Sequence, residues 1–92
     1  MVIYYLLIMK DNLKNRIIEL YPDFPKKLLN VHPNLTRSEV ELCIYLKFNL
    51  TDYEIAEMIN RNKRTIETKR YRLRKKLKLE KTQRLNTYIL KL

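Results

Sequence analysis

Apolar residues recur at intervals of three and four over most of this chain, and that period predicts helices. The pattern is sharpest between residues 51 and 79. Thr51 and Glu54 form a T-x-x-E capping box that opens a helix, with Ile55, Ala56 and Ile59 on its apolar face. The run Asn60 to Asn62 breaks it. Asn60 tolerates a left-handed backbone, and Asn62 can accept from the free N–H groups of a new helix. That helix is expected over about 63–76. Ile66, Leu73 and Leu77 share its buried stripe, and Arg70 snorkels from the stripe's edge. Arg64, Glu67, Thr68, Tyr71, Arg72 and Lys75 point away from it.

The same grammar extends in both directions. Thr36 and Glu39 repeat the capping box, and Leu35 can staple the helix start. Val40, Cys43 and Ile44, with Leu46 or Lys47 beyond, form the next apolar face, and Asn49 stands where a helix needs a left-handed end residue. After residue 80, Thr82 is a candidate cap, and Leu85, Tyr88, Ile89 and Leu92 are spaced for one face. Pro22, Pro25 and Pro33 punctuate the segment before Leu35. Pro22 ends a first helix, Asp23 caps a short second one with Pro25 in its first turn, and Phe24, Leu28 and Leu29 face the core. Residues 1–21 read either as a β-rich run or as a helix. If helical, Ile3, Leu6, Lys10, Leu13, Ile17 and Leu20 follow an a/d heptad pattern suited to a parallel dimer. The alternatives are an apolar arm folded back on its own domain or the cut end of a longer protein.

Composition narrows the class. With no Gly and three Pro, the chain lacks the turns that sheets need, so all-α is the expected class. The division drawn is an N-terminal helical arm over residues 1–30 and a second unit over 31–92. The single Cys43 excludes an internal disulfide and falls in an apolar pattern, which suits a buried thiol in a reducing cytoplasm. The apolar run at residues 1–9 is well short of the roughly twenty residues that span a bilayer, and without a basic n-region or small-residue cleavage site a secretory signal is not expected. His32, the only histidine, has no ligand cluster near it. Without a Gly-rich phosphate loop, metal-ligand spacing or a nucleophile with its base, an enzyme is not expected, nor is a cofactor or a metal.

Charge changes the picture most. Residues 61–84 hold 12 Lys or Arg and 2 Glu, whereas the rest of the chain is balanced at 8 basic and 8 acidic residues. The whole excess of +10 lies on or beside one helix, an electrostatic footprint for a polyanion. A membrane surface is the weaker match, because the apolar start and the basic helix lie far apart in sequence.

From Leu35 onward, the segments LTRSEVELCIYL, NLTDYEIAEMI, NKRTIETKRYRLRKKLKL and TQRLNTYILKL resemble the LuxR/GerE-type helix-turn-helix domain of bacterial transcription regulators. The lead-in ELYPDFPKKLLNVHPNLT is similar to that of a Bacteroidetes-type subset of these regulators, and with no sensor or receiver in 92 residues the chain resembles an isolated or truncated output domain. The resemblance implies a tetrahelical domain whose third helix, about residues 63–77, enters the major groove of double-stranded DNA. By position, Glu67, Thr68 and Tyr71 face base edges, and Thr51, Lys63, Arg64, Thr65, Lys69, Arg72 and Lys75 hold phosphates. The helical wheel agrees on Glu67, Thr68, Tyr71 and Lys75 and turns Lys69 towards the buried side. Glu67 has a local alternative, an ion pair with Lys63, Arg64 or Arg70. Arg74, Lys76 and Lys78 are expected to add general electrostatics. A homodimer through residues 1–20 would set two half-sites one helical turn apart. Sigma-factor region 4 shares the plan and also binds RNA polymerase, which makes a protein-interaction module the alternative reading.

Overall fold

Side chains that accept from unpaired backbone N–H groups mark where helices start, and the computed structural model, which describes residues 19–92, has helices at those marks. Five helices follow in order: α1 Phe24–Val31, α2 Arg37–Lys47, α3 Asp52–Met58, α4 Lys63–Lys76 and α5 Leu85–Lys91. All regular structure among the described residues is helical. Glu19 and Leu20 are also helical and stop ahead of Pro22. The heptad positions before residue 19 lie outside the described residues; Leu20 is exposed.

Both capping boxes form. The Thr36 hydroxyl accepts from Glu39 N while the Glu39 carboxylate accepts from Thr36 N at 2.7 Å. Thr51 and Glu54 repeat this geometry at the start of α3. Asn62 caps α4 by accepting from Thr65 N at 2.9 Å.

The helix ends are as specific as the starts. α2, α3 and α4 each close with a left-handed residue, at Asn49 (φ 60°), Asn60 (φ 56°) and Lys78 (φ 57°). Each end carries the paired backbone bonds of a Schellman motif, such as Arg61 N to Ala56 O and Asn60 N to Glu57 O. A chain without Gly has to place residues with side chains at these positions, and Asn does so at the least cost.

The core is continuous. Leu42, Cys43, Ile44 and Leu46 of α2 meet Ile55 and Ala56 of α3, Ile66 and Leu73 of α4, and Leu85 and Ile89 of α5. Phe24 and Leu28 of α1 belong to the same cluster, so α1, which straddles residues 30 and 31, packs with the helices that follow it. α3 packs on α4, and α2 lies against α1, α4 and α5. Each fully buried Leu or Ile here contributes about 1.5–3 kcal/mol. Burial, with the nearby Glu39 charge adding to it, pushes the Cys43 thiol up to about 12, so it stays a protonated packing group.

Three expectations are corrected, at Leu29, Asp23 and Thr82. Leu29 is exposed, because the short α1 turns only Phe24 and Leu28 inwards. Asp23 precedes α1 with a helical backbone (φ −90°, ψ −6°), and its side chain makes no cap. Thr82 does not cap α5, which starts at Leu85 after Arg84. The segment before it is already held, since Gln83 Oε1 accepts from Glu80 N at 2.9 Å. At the end of α2, Leu46 is buried and Lys47 lies at the margin, donating to Leu90 O at 2.9 Å with its ammonium over the Tyr21 and Phe24 rings. His32 ends α1, shares a 2.6 Å hydrogen bond with the Tyr88 hydroxyl, and has its pKa lowered by burial.

Candidate nucleic-acid interface

α4 divides its cations by direction. Ile66 and Leu73 inside the helix, and Leu77 at its cap, anchor one flank in the core. Cations beside that flank are tied to protein oxygens. Arg70 donates to Asn86 Oδ1 at 2.7 Å and lies 3.4 Å from Asp52 Oδ1, so one guanidinium joins α3, α4 and α5. Arg74 donates to Gln83 O at 2.6 Å and Glu80 O at 3.0 Å, which fixes the segment leading to α5. Lys76 reaches Glu39 Oε1 at 2.8 Å. Burial works against the Glu39 charge, but hydrogen bonds from Lys76 and Thr36 outweigh it and leave the carboxyl below its usual range.

The opposite flank carries Arg64, Glu67, Thr68, Tyr71, Arg72 and Lys75, all exposed. Arg64, Thr68, Tyr71 and Lys75 follow steps of four, three and four and form one stripe. Its ends are cationic and its middle is neutral. Arg64 and Lys75 are separated by eleven residues, about 16 Å of helix rise, against a major groove about 12 Å wide. Cations so spaced can reach the two phosphate walls while Thr68 and Tyr71 face the floor. The Lys75 ammonium sits 4.7 Å from the centre of the Tyr71 ring. Among the described residues Glu67 makes no ion pair; its charge is one of the influences that raise the pKa of Lys63.

The remaining sequence candidates are placed as follows. Lys63 opens α4 with its ammonium 4.4 Å from the Tyr53 ring centre and 3.4 Å from the Tyr53 oxygen. The Thr65 hydroxyl donates to Asn62 Oδ1 at 2.9 Å, so its proton is committed to the cap. Lys69 is half-buried and donates to Ser38 Oγ at 3.1 Å, beside a cleft of about 180 Å³ that Arg72 and Thr36 also line. Thr51 is exposed at the start of α3, with its hydroxyl and N–H both engaged in the capping box. Sequence reasoning missed Ser38, Asp52, Tyr53 and Asn86. Nothing in the local pattern marks Asp52 and Asn86, because their partner is 16 or more residues away; Tyr53 was legible only as an aromatic off the Ile55–Ala56 stripe.

Among the described residues no group of three His, Cys, Asp or Glu could hold a metal ion, and no helix is long and apolar enough to cross a membrane. Compared with protein-family models, curated proteins and solved structures, the chain has no match.

Proposed function

We propose that this chain binds double-stranded DNA as a sequence-reading transcription regulator of the LuxR/GerE helix-turn-helix type, with α4 in the major groove. The observation that carries the reading is the outward stripe of α4, with cations at its ends and Thr68 and Tyr71 exposed between them. Thr68 offers a methyl to thymine or a hydroxyl to either groove partner, Tyr71 offers a hydroxyl and a ring edge, and Glu67 can accept from cytosine N4. Arg64, Arg72 and Lys75 take phosphates, with Lys63, Lys69, Thr65 and Thr51 beside them. Thr65 can donate to a phosphate only when its hydroxyl leaves Asn62 Oδ1, since its hydroxyl and its N–H are both committed to that cap. Pairing of two chains through residues 1–20 belongs to this proposal, and almost all of that segment lies outside the described residues.

One observation favours DNA over the polymerase-binding alternative. α5 is packed into the core through Leu85 and Ile89, whereas the sigma region 4 plan ends after its recognition helix.

The test is selection of bound duplexes from a random pool at physiological salt, followed by sequencing. Enrichment of an inverted repeat with fixed spacing is the expected result. About six phosphate contacts also give a log–log salt slope near −5. Binding with no enriched sequence would remove the base-reading roles of Thr68 and Tyr71.

A further inference from the structure

Tyr53 is the most exposed large apolar-bodied residue among those described, with 66 % of its surface accessible. It packs into no core and lies next to Asp52, whose carboxylate faces Arg70. Its contact is with Lys63, on the far side of the α3–α4 turn. The ammonium lies over the ring, 4.4 Å from its centre, and donates to the phenol oxygen at 3.4 Å. Lys63 is the first residue of α4, where the helix dipole disfavours a cation. An acidic partner would remedy that by neutralising the charge. Among the described residues no carboxylate lies within ion-pair distance of Lys63, and a neutral aromatic takes that place instead. A ring attracts the ammonium through its quadrupole and leaves its full charge available to an outside anion. The hydrogen bond to Tyr53 also raises the Lys63 pKa, so the charge is kept.

The arrangement recurs at the other end of α4, where Lys75 sits over Tyr71. Twelve residues separate the two lysines, about 18 Å of helix rise. Each end of the helix therefore presents an ammonium held by a tyrosine and, among the described residues, in no ion pair; Glu67 and Asp52 act on Lys63 only as charges beyond ion-pair distance.

We infer that Tyr53 is a positioning residue of the duplex-binding surface, which holds the Lys63 ammonium at the α3–α4 turn for one phosphate of the DNA backbone. The inference rests on the DNA-binding reading and adds a residue to it. Tyr53 acts through Lys63. A lysine already confined over a ring has less side-chain freedom to lose when a phosphate arrives.

The experiment measures affinity for a short random-sequence duplex over a salt series, using the full chain, because a phosphate contact is sequence-independent. Lys63→Gln is expected to weaken binding and to lower the log–log slope by about 0.9. Tyr53→Leu is expected to weaken it about two- to fivefold, and Tyr53→Phe, which keeps the ring, much less. In the Lys63→Gln background Tyr53→Leu should have no further effect. Equal losses in both backgrounds would overturn the inference, since Tyr53 would then act independently of Lys63; so would wild-type affinity in Tyr53→Leu. The DNA reading stands in either case. A folded wild-type chain that binds no duplex would overturn both. Thermal unfolding of each variant guards the comparison, and Tyr53→Ala, which favours the helix, carries the same test if Tyr53→Leu is unstable.

Discussion

The two flanks of α4 use the same kinds of side chain for opposite purposes. Arg70, Arg74 and Lys76 spend their donors on Asp52, Asn86, Glu80, Gln83 and Glu39. Arg64 and Arg72, six residues before and two residues after Arg70 on the same helix, make no such contact among the described residues and stand in solvent. A count of positive charge treats the two sets alike. Direction separates them: a cation beside the buried stripe becomes a strut between helices, and one opposite it is left for a partner. The exposed cationic surface is therefore smaller and better shaped than the total of +10 suggests.

The largest contrast between the flanks is in stability. Leu73→Ala empties a fully buried site and should cost about 2–5 kcal/mol in denaturant unfolding. On the exposed flank, Tyr71→Ala should change stability by less than about 0.5 kcal/mol. If the two cost the same, α4 does not face the core as described.

Next is the contrast between struts and free cations. Arg70→Ala leaves Asp52 and Asn86 without their shared donor and should cost about 1–3 kcal/mol of stability. Arg72→Ala should leave stability nearly unchanged and reduce the salt slope of duplex binding by about 0.9. A chain in which Arg70→Ala is neutral for folding yet flattens the salt slope would place Arg70 among the free cations and erase the distinction.

The middle of the stripe can be tested separately from its ends. Tyr71→Ala should remove about 1–3 kcal/mol of discrimination between a selected duplex and a random one. Lys75→Ala should weaken both duplexes alike, because a phosphate contact carries no sequence information. Unchanged discrimination in Tyr71→Ala removes it from base reading.

These flanks differ in how much of them the chain reveals before it folds. The helix starts at α2, α3 and α4 were legible because a capping box or Asn cap is a local signal, closed within four residues. The buried stripe of Ile66, Leu73 and Leu77 was legible because helical period is local too, and so was the snorkelling position of Arg70. What Arg70 reaches was not legible. Asp52 and Asn86 come to it from two other helices, and only packing sets those distances. The same holds for Lys76 and Arg74, expected as general electrostatics and found bonded to Glu39 and to the carbonyls before α5. The start of α5 was misread for a related reason. Thr82 has the chemistry of a cap, but the turn from Glu80 to Gln83 already occupies that segment.

The Lys76 strut also has a pH signature. The Glu39 carboxyl is held below its ordinary value of 4.5, so it binds a proton less readily in the folded chain than in the unfolded one. Its stabilising effect is complete above that value and is lost as pH falls through the folded pKa. Lys76→Met should cost about 1 kcal/mol near neutrality and make the acid loss of stability shallower. Measured as melting temperature against pH, an unaltered acid limb in this variant would mean the pair does not stabilise the fold.

The smallest effect concerns a residue that belongs to neither flank. Lys78 holds the left-handed position that ends α4, where a side chain costs about 1 kcal/mol and Gly costs nothing. Its N–H completes the cap by donating to Lys75 O at 3.1 Å, and its side chain is exposed with no partner among the described residues. For the fold alone Gly is the better residue, and Lys78→Gly should raise stability by about 0.5–1 kcal/mol. The helix C-terminus favours a nearby cation, which offsets part of that gain. If the lysine is there for its charge, the stabilised variant should bind duplex more weakly and with a flatter salt slope. A variant both more stable and equally tight would show that the free-cation surface ends at Lys75 and that the polyanion contact stops with the last turn of α4.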